Sequence, residues 1–254
     1  MQKKIFLLII LTLILSLGAL AKTRTLPSPA ISNDTDALLA QFSKRDDSAL
    51  FLSSLRKRTL SMGPRAVPAL VKVMKEDTYT DKKRWLATFA IGKIMGKKSL
   101  PFISKFTHHP NWILRLAGLK TLLALKDPSS KEFYRKALKD PSLIVRLQAL
   151  ENIRELGIKE YAQDVWKMIF HKHNYKGKKG QRKRTVIISK AIRALGDLEY
   201  RPAKKSLIKL IQSKKYGDIV RDIDYSLSKM TKKKSPSQVQ EKIAFWGRFK
   251  DGPE

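Results

Sequence analysis

The sequence predicts an all-α fold, an α-solenoid of about five to six helical hairpins. Three observations predict it: one helix pattern returns along the chain, helix-start and helix-stop signals bracket each copy, and almost nothing reads as an isolated strand or a βαβ unit. Repeats of 20–50 residues are the mark of stacked supersecondary units, so the copies are taken first.

The clearest copy runs from Asp140-Pro141, a helix start, to Gly157, a helix stop. Between them Ile144, Leu147, Leu150 and Leu156 recur at three- and four-residue spacing, which places them on one helix face. The arrangement returns from Arg84 to Gly96 and from Trp112 to Leu125, and more loosely from Arg184 to Gly196 and from Ile219 to Met230. Steps between Arg84, Arg115, Arg146, Arg184 and Arg221 are 31, 31, 38 and 37 residues. A shorter helix precedes each copy. Ala66–Met74 lines up with Ser99–Phe106, and Pro68 and Pro101 fall 33 residues apart. Both prolines sit in a first helical turn, where a missing amide proton costs little. Looser first helices are 131–139, 161–170 and 202–212, and 36–42 with 48–62 form an opening pair.

Asp140-Pro141, Val145-Arg146, Ala149 and Gly157, with Val67-Pro68-Ala69-Leu70 as first helix, resemble the HEAT repeat family, in particular the short bacterial lyase-like type. The resemblance covers roughly residues 48 to 231. It implies paired helices stacked into a superhelix with a concave face that often binds a partner. It says little about function, because function lives in sites placed on folds. Each hairpin is too small to bury its own apolar face, so stability comes from stacking on neighbours. Trp85, Phe89, Trp112, Leu116, Leu119, Leu147 and Leu150 are therefore expected in the core. Arg84, Arg115, Arg146 and Arg221 are expected to join adjacent repeats, with Asp140 a partner for Arg146.

The ends read differently. Lys3-Lys4, an apolar run from Ile5 to Leu17, and Ala19-Leu20-Ala21 follow the plan of a signal peptide cut after Ala21. The expected organisation is 1–21 signal peptide, 22–34 flexible segment, 35–231 solenoid, and 232–254 basic linker with an aromatic tail. Ile243 to Phe249 carries three aromatics and is expected to cap the open end of the array. The setting is then periplasmic or secreted, with membrane contact only through the N-terminal segment if it stays uncleaved. No cysteine is present, so packing alone must hold the domain together.

The formal net charge is +31, and a surplus this large draws in polyanions. The charge gathers where the repeat is interrupted. His171 to Arg184 adds seven residues to the step and carries Lys172, Lys176, Lys178, Lys179, Arg182, Lys183 and Arg184 with no acid. Together with Tyr175, placed to stack on a base or sugar, these are the candidate anion-binding residues. An acidic protein or an anionic envelope polymer is the expected partner, with nucleic acid the alternative.

No Gly-rich phosphate loop, Gly-x-Ser-x-Gly elbow or His-Glu-x-x-His motif is present. His171 and His173 have chelating spacing but no cysteine or nearby carboxylate to complete a metal site. Asp218, Asp222 and Asp224, and Glu151 with Glu155, read as charge partners for the many cations. The resemblance admits two enzyme classes. HEAT-like DNA glycosylases are basic, but no catalytic aspartate ringed by aromatics maps onto this chain, and the export signal points away from the chromosome. Lyase-like relatives act on bilins attached to a partner's cysteines, and no residue here speaks to that. The expectation is a non-enzymatic scaffold without cofactor or metal, the alternatives being the nucleic-acid reading and a structural element of an envelope assembly.

Overall fold

The computed structural model describes residues 29–176 and 183–249. Six helical hairpins follow one another. They are α1 (Pro29–Ser43) with α2 (Ala49–Met62), α3 (Val67–Lys75) with α4 (Asp81–Met95), and α5 (Leu100–Phe106) with α6 (Trp112–Leu125). Then come α7 (Lys131–Ala137) with α8 (Leu143–Glu155), α9 (Ala162–Met168) with α10 (Val186–Asp197), and α11 (Lys204–Gln212) with α12 (Val220–Thr231). A last helix, α13 (Val239–Arg248), closes the row. The α-solenoid the repeat predicts is the fold observed.

Each second helix packs on the second helices before and after it, from α2 on α4 to α10 on α12, whereas first helices after α1 lean chiefly on their own partner, and α1 itself leans on α3. Bending a two-layer array closes the spacing of its inner layer and opens the outer one, so the second helices form the concave side. Gly92 and Gly196 let this layer close up. A Cβ on Gly92 would lie 2.4 Å from the Thr121 Cγ2 of α6, and one on Gly196 2.6 Å from the Ser226 Cα of α12. Two buried side chains stitch the same layer: Asn152 Nδ2 donates to the Leu119 carbonyl at 2.9 Å, and Ser226 Oγ to that of Ile192 at 2.5 Å. Between the layers runs one continuous core that includes Leu70, Ile91, Leu119, Leu122, Ile153, Ile192 and Leu227.

The boundaries of the repeat have local causes. Pro68 and Pro101 occupy the first turns of α3 and α5, as their spacing predicts. Every second helix is followed by a residue in the left-handed region: Gly63, Gly96, Lys126, Gly157, Glu199 and Lys232, with φ between 49° and 62°. Glycine accepts this conformation without strain and the other three do so at a cost of about 1–2 kcal/mol each.

Several expectations need correction. Residues 29–34 of the segment read as flexible are helical, since Pro29 suits a first turn and Asp34 is held at 2.9 Å by Arg65. Trp112 is not core. It opens α6 and stays 43% exposed. Trp85 and Phe89 are only half-buried, while Leu116, Leu119 and Leu150 are buried as expected. The interruption is also larger than the arginine spacing indicates. The N-caps Thr80, Asn111, Ser142 and Thr185 step by 31, 31 and 43 residues. Arg184 therefore precedes its helix instead of matching Arg146, and Arg221, second in α12, is out of register too.

The tail caps the array. Trp246 is wholly buried and its indole donates to Asp224 Oδ1 at 2.8 Å. Lys242 donates to Asp224 Oδ2 at 2.8 Å, and Ser235 to Oδ1 at 2.5 Å. Gln212 donates to the Ile243 carbonyl at 2.7 Å, tying α11 to α13.

Candidate functional site

The sequence-predicted site is the excursion between α9 and α10. Its described part is a short antiparallel ladder, β1 (Tyr175–Lys176) against β2 (Lys183–Arg184), with Tyr175 opposite Arg184 and Lys176 opposite Lys183. Lys172, Lys176 and Lys183 are exposed. Lys178, Lys179 and Arg182 lie outside the described residues. Asn174 anchors the base: it is 1% exposed, accepts from Arg146 Nε at 2.9 Å and donates to the Met168 carbonyl at 2.8 Å. Tyr175 does not serve as a stacking platform. Its ring packs against the core and its hydroxyl donates to the Ile169 carbonyl at 2.7 Å.

Arg84, Arg115 and Arg146 each occupy the fourth position of α4, α6 and α8, between the loop inside their own hairpin and the corresponding loop inside the next, Arg84 meeting His109 there at 3.3 Å. Arg84 reaches the Met74 carbonyl at 3.2 Å and Asp77 at 2.6 Å. Arg115 grips Asp140 through two bonds of 2.7 and 2.8 Å and also donates to the carbonyls of His109 and Pro110. Arg146 takes the equivalent carbonyls of Asp140 and Pro141, then the His173 carbonyl at 3.0 Å. The ladder is structural, and the Asp140 carboxylate belongs to Arg115, not to Arg146 as its nearness in sequence indicated.

The histidines are also placed by packing. His109 stacks on Phe106, and its Nδ1 accepts from the Asn111 amide at 3.0 Å. Burial first, then the Arg84 guanidinium, pushes its pKa below the ordinary histidine value. His171 and His173 meet edge-to-face at 4.9 Å, and burial lowers the pKa of His171, with the neighbouring His173 adding to it. Among the described residues no three metal-binding side chains cluster.

A basic surface that the sequence reading missed lies on the concave layer. Between α2, α4 and α6 runs a groove of about 470 Å³. Leu52, Trp85, Leu86 and Phe89 give it an apolar floor, and Arg56, Lys82 and Lys120 stand along it. The Arg56 guanidinium lies 4.6 Å over the Phe89 ring, Lys93 Nζ 5.7 Å from the same ring, and Lys120 Nζ 5.7 Å from the Trp85 ring. Such cation–π contacts are worth about 0.5–1 kcal/mol at exposed sites and hold the cation in place. No carboxylate neutralises Arg56, Lys93 or Lys120 among the described residues. Lys82 spends one donor on the Asp47 carbonyl at 3.3 Å and keeps its charge. Helices α2 and α6 contain no acid at all.

The far half of the concave layer is chemically different. Arg154 sits between Glu151 at 2.5 Å and Asp197 at 3.3 Å, and Arg193 pairs with Asp222 at 3.4 Å while lying 4.0 Å over Tyr225. Tyr225 donates to Asp197 at 2.5 Å. The hydrogen bond from Arg154 is the main reason Glu151 is held below the usual glutamate range.

Residues 67–154 match the family model described as HEAT repeats, and this part of the chain is a HEAT-repeat array. No curated protein matches the sequence. Among solved structures, the complex of CpcE and CpcF of phycocyanin lyase from Nostoc is similar in helical arrangement, at 15% identity and a TM-score of 0.46, over 90% of this chain and 99% of that one.

Proposed function

We propose that this HEAT-repeat array is a non-enzymatic binding scaffold outside the cytoplasm, whose basic surface engages an anionic macromolecule, an acidic protein or an envelope polymer. The observation that carries the reading is the row of uncompensated cations on the concave layer, Arg56, Lys93 and Lys120, ordered by aromatic rings in place of carboxylates. Exposed charges whose own protein supplies no counter-ion are available to a ligand. Lys172, Lys176 and Lys183 add exposed positive charge elsewhere, between α9 and α10. The compartment rests on the sequence alone, on the cationic, apolar and small-residue succession that ends at Ala21.

Binding of labelled poly-glutamate to the full chain, followed by anisotropy over a range of salt, tests the reading. Affinity falls steeply as salt rises, because screening shortens the reach of exposed charges to about 8 Å at physiological ionic strength. Lack of binding at about 50 mM salt, where the reach is longer, contradicts it. Cell fractionation with N-terminal sequencing tests the compartment: the expected mature chain begins at Lys22, and a cytoplasmic chain starting at Met1 contradicts export.

A further inference from the structure

We propose that the groove between α2, α4 and α6 receives an acidic amphipathic helix of a protein partner, its carboxylates on Arg56 and Lys120 and its apolar side chains on Trp85 and Phe89. This rests on the reading above, that the basic surface engages an anionic macromolecule, and narrows it to one place and one ligand class.

Three features of the groove select the occupant. Its floor is apolar and its cations stand above it, so a ligand that is only charged leaves Leu52, Trp85, Leu86 and Phe89 uncovered. Burial of apolar surface contributes about 25 cal/mol per Å², which an amphipathic ligand gains and a purely ionic one forgoes. Next, among the described residues the Ser53 hydroxyl is the one side-chain acceptor in the lining. A polysaccharide presents hydroxyls that need donors and acceptors, and buried hydroxyls left unpaired cost affinity. Finally, the cations are already held on the rings, Arg56 over Phe89 and Lys120 over Trp85, so a carboxylate meets them in place.

The dimensions agree. Packed helices lie about 8–10 Å apart, so the span from α2 across α4 to α6 is about 16–20 Å between axes. A helix rising 1.5 Å per residue covers that in about 12 residues, with side chains at i, i+4 and i+7 on one face. Carboxylates and apolar groups alternating at that spacing meet the cations and the floor together.

The test uses the full chain and four labelled probes of about 15 units, long enough to span the groove: a Glu/Leu peptide patterned as an amphipathic helix, the same composition scrambled, poly-glutamate, and oligothymidylate. The patterned peptide is expected to bind about tenfold tighter than the scrambled one, a difference of about 1.4 kcal/mol. Ser53→Glu places a like charge at an exposed position of the groove and is expected to abolish that preference, with helical circular dichroism unchanged. Arg56→Gln with Lys120→Gln is expected to weaken the patterned peptide about tenfold. Equal binding of patterned and scrambled peptides overturns the helix while leaving the anionic reading intact. Tighter binding of oligothymidylate overturns the protein partner, and indifference to Ser53→Glu overturns the site. If no probe binds, both this proposal and the general reading fall.

Discussion

At the ninth position of successive inner helices stand Phe89 in α4, Lys120 in α6 and Glu151 in α8. The backbone plan is the same, and the charge changes sign between the second and third. In the first three inner helices the cations Arg56, Lys93 and Lys120 rest on rings and face no acid among the described residues. In the last three, Arg154 and Arg193 pair with Glu151, Asp197 and Asp222, while Lys229 rests on the Tyr225 ring with no carboxylate partner among the described residues. The far half thus commits Arg154 and Arg193 to its own acids, whereas the near half leaves its ring-held cations to a ligand.

The largest expected effect breaks the far half. Trp246→Ala removes a wholly buried side chain and strips Asp224 of its indole donor, so α13 no longer seals the array. A loss of about 3–5 kcal/mol is expected in urea unfolding, with the patterned peptide still binding the chain that remains folded. Arg115→Ala acts at the junction of the two halves, where it joins α6 to the loop before α8. It leaves the Asp140 carboxylate, only 7% exposed, without its bidentate partner, and about 3 kcal/mol is expected to go. By contrast Arg56→Gln with Lys120→Gln should shift stability by less than about 0.5 kcal/mol while costing about tenfold in anion binding. That separation of stability from binding is what distinguishes the near half.

Neutralising the far half sharpens the comparison from the other side. Glu151→Gln with Asp197→Asn and Asp222→Asn releases Arg154 and Arg193, and poly-glutamate affinity should rise about threefold, or about 0.65 kcal/mol. Stability should fall by about 1 kcal/mol or less, since exposed ion pairs contribute little. The smallest effect is on pH. Glu151 titrates lower in the folded chain than in the unfolded one, chiefly because Arg154 bonds to its ionised form. The stability it contributes is present above the ordinary glutamate value and is lost as pH falls through the lowered one. Over that window the far half also gains positive charge, so its affinity for a sulfated polymer, which stays ionised there, should rise, and Glu151→Gln should remove the Glu151 share of that rise.

The parts legible in the sequence are those written as local signals. Pro68 and Pro101 mark first turns, Gly63, Gly96 and Gly157 mark stops, and Arg84, Arg115 and Arg146 keep a 31-residue step because each reaches the loop inside the next hairpin, at His109, Asp140 and His173. Lys126, Glu199 and Lys232 also take positive φ with no composition signal, and there the apolar repeat alone indicated the helix ends, near Leu125, Gly196 and Met230. Arg184 misled because an arginine is common and an N-cap is not. Following Thr80, Asn111, Ser142 and Thr185 gives the 43-residue step.

The groove was hidden for a different reason. Trp85 and Phe89 lie at helical spacing like any core residue, and only the width of the gap between α2 and α6 leaves them half-covered. The lysines and arginines above them are scattered in sequence, at 56, 82, 93 and 120, and come together only once three hairpins stack. The hairpin drew notice because its cations are adjacent in the chain, yet Tyr175, the one aromatic there, is turned inward onto Ile169.

Hydrogen exchange of the full chain with and without the patterned acidic peptide is the most direct measurement, because it reports where backbone opening is suppressed. Protection confined to residues 49–62, 81–95 and 112–125 is the result expected from a ligand lying across α2, α4 and α6. Protection at residues 171–185 or across α10 and α12, with α4 unchanged, would contradict the account.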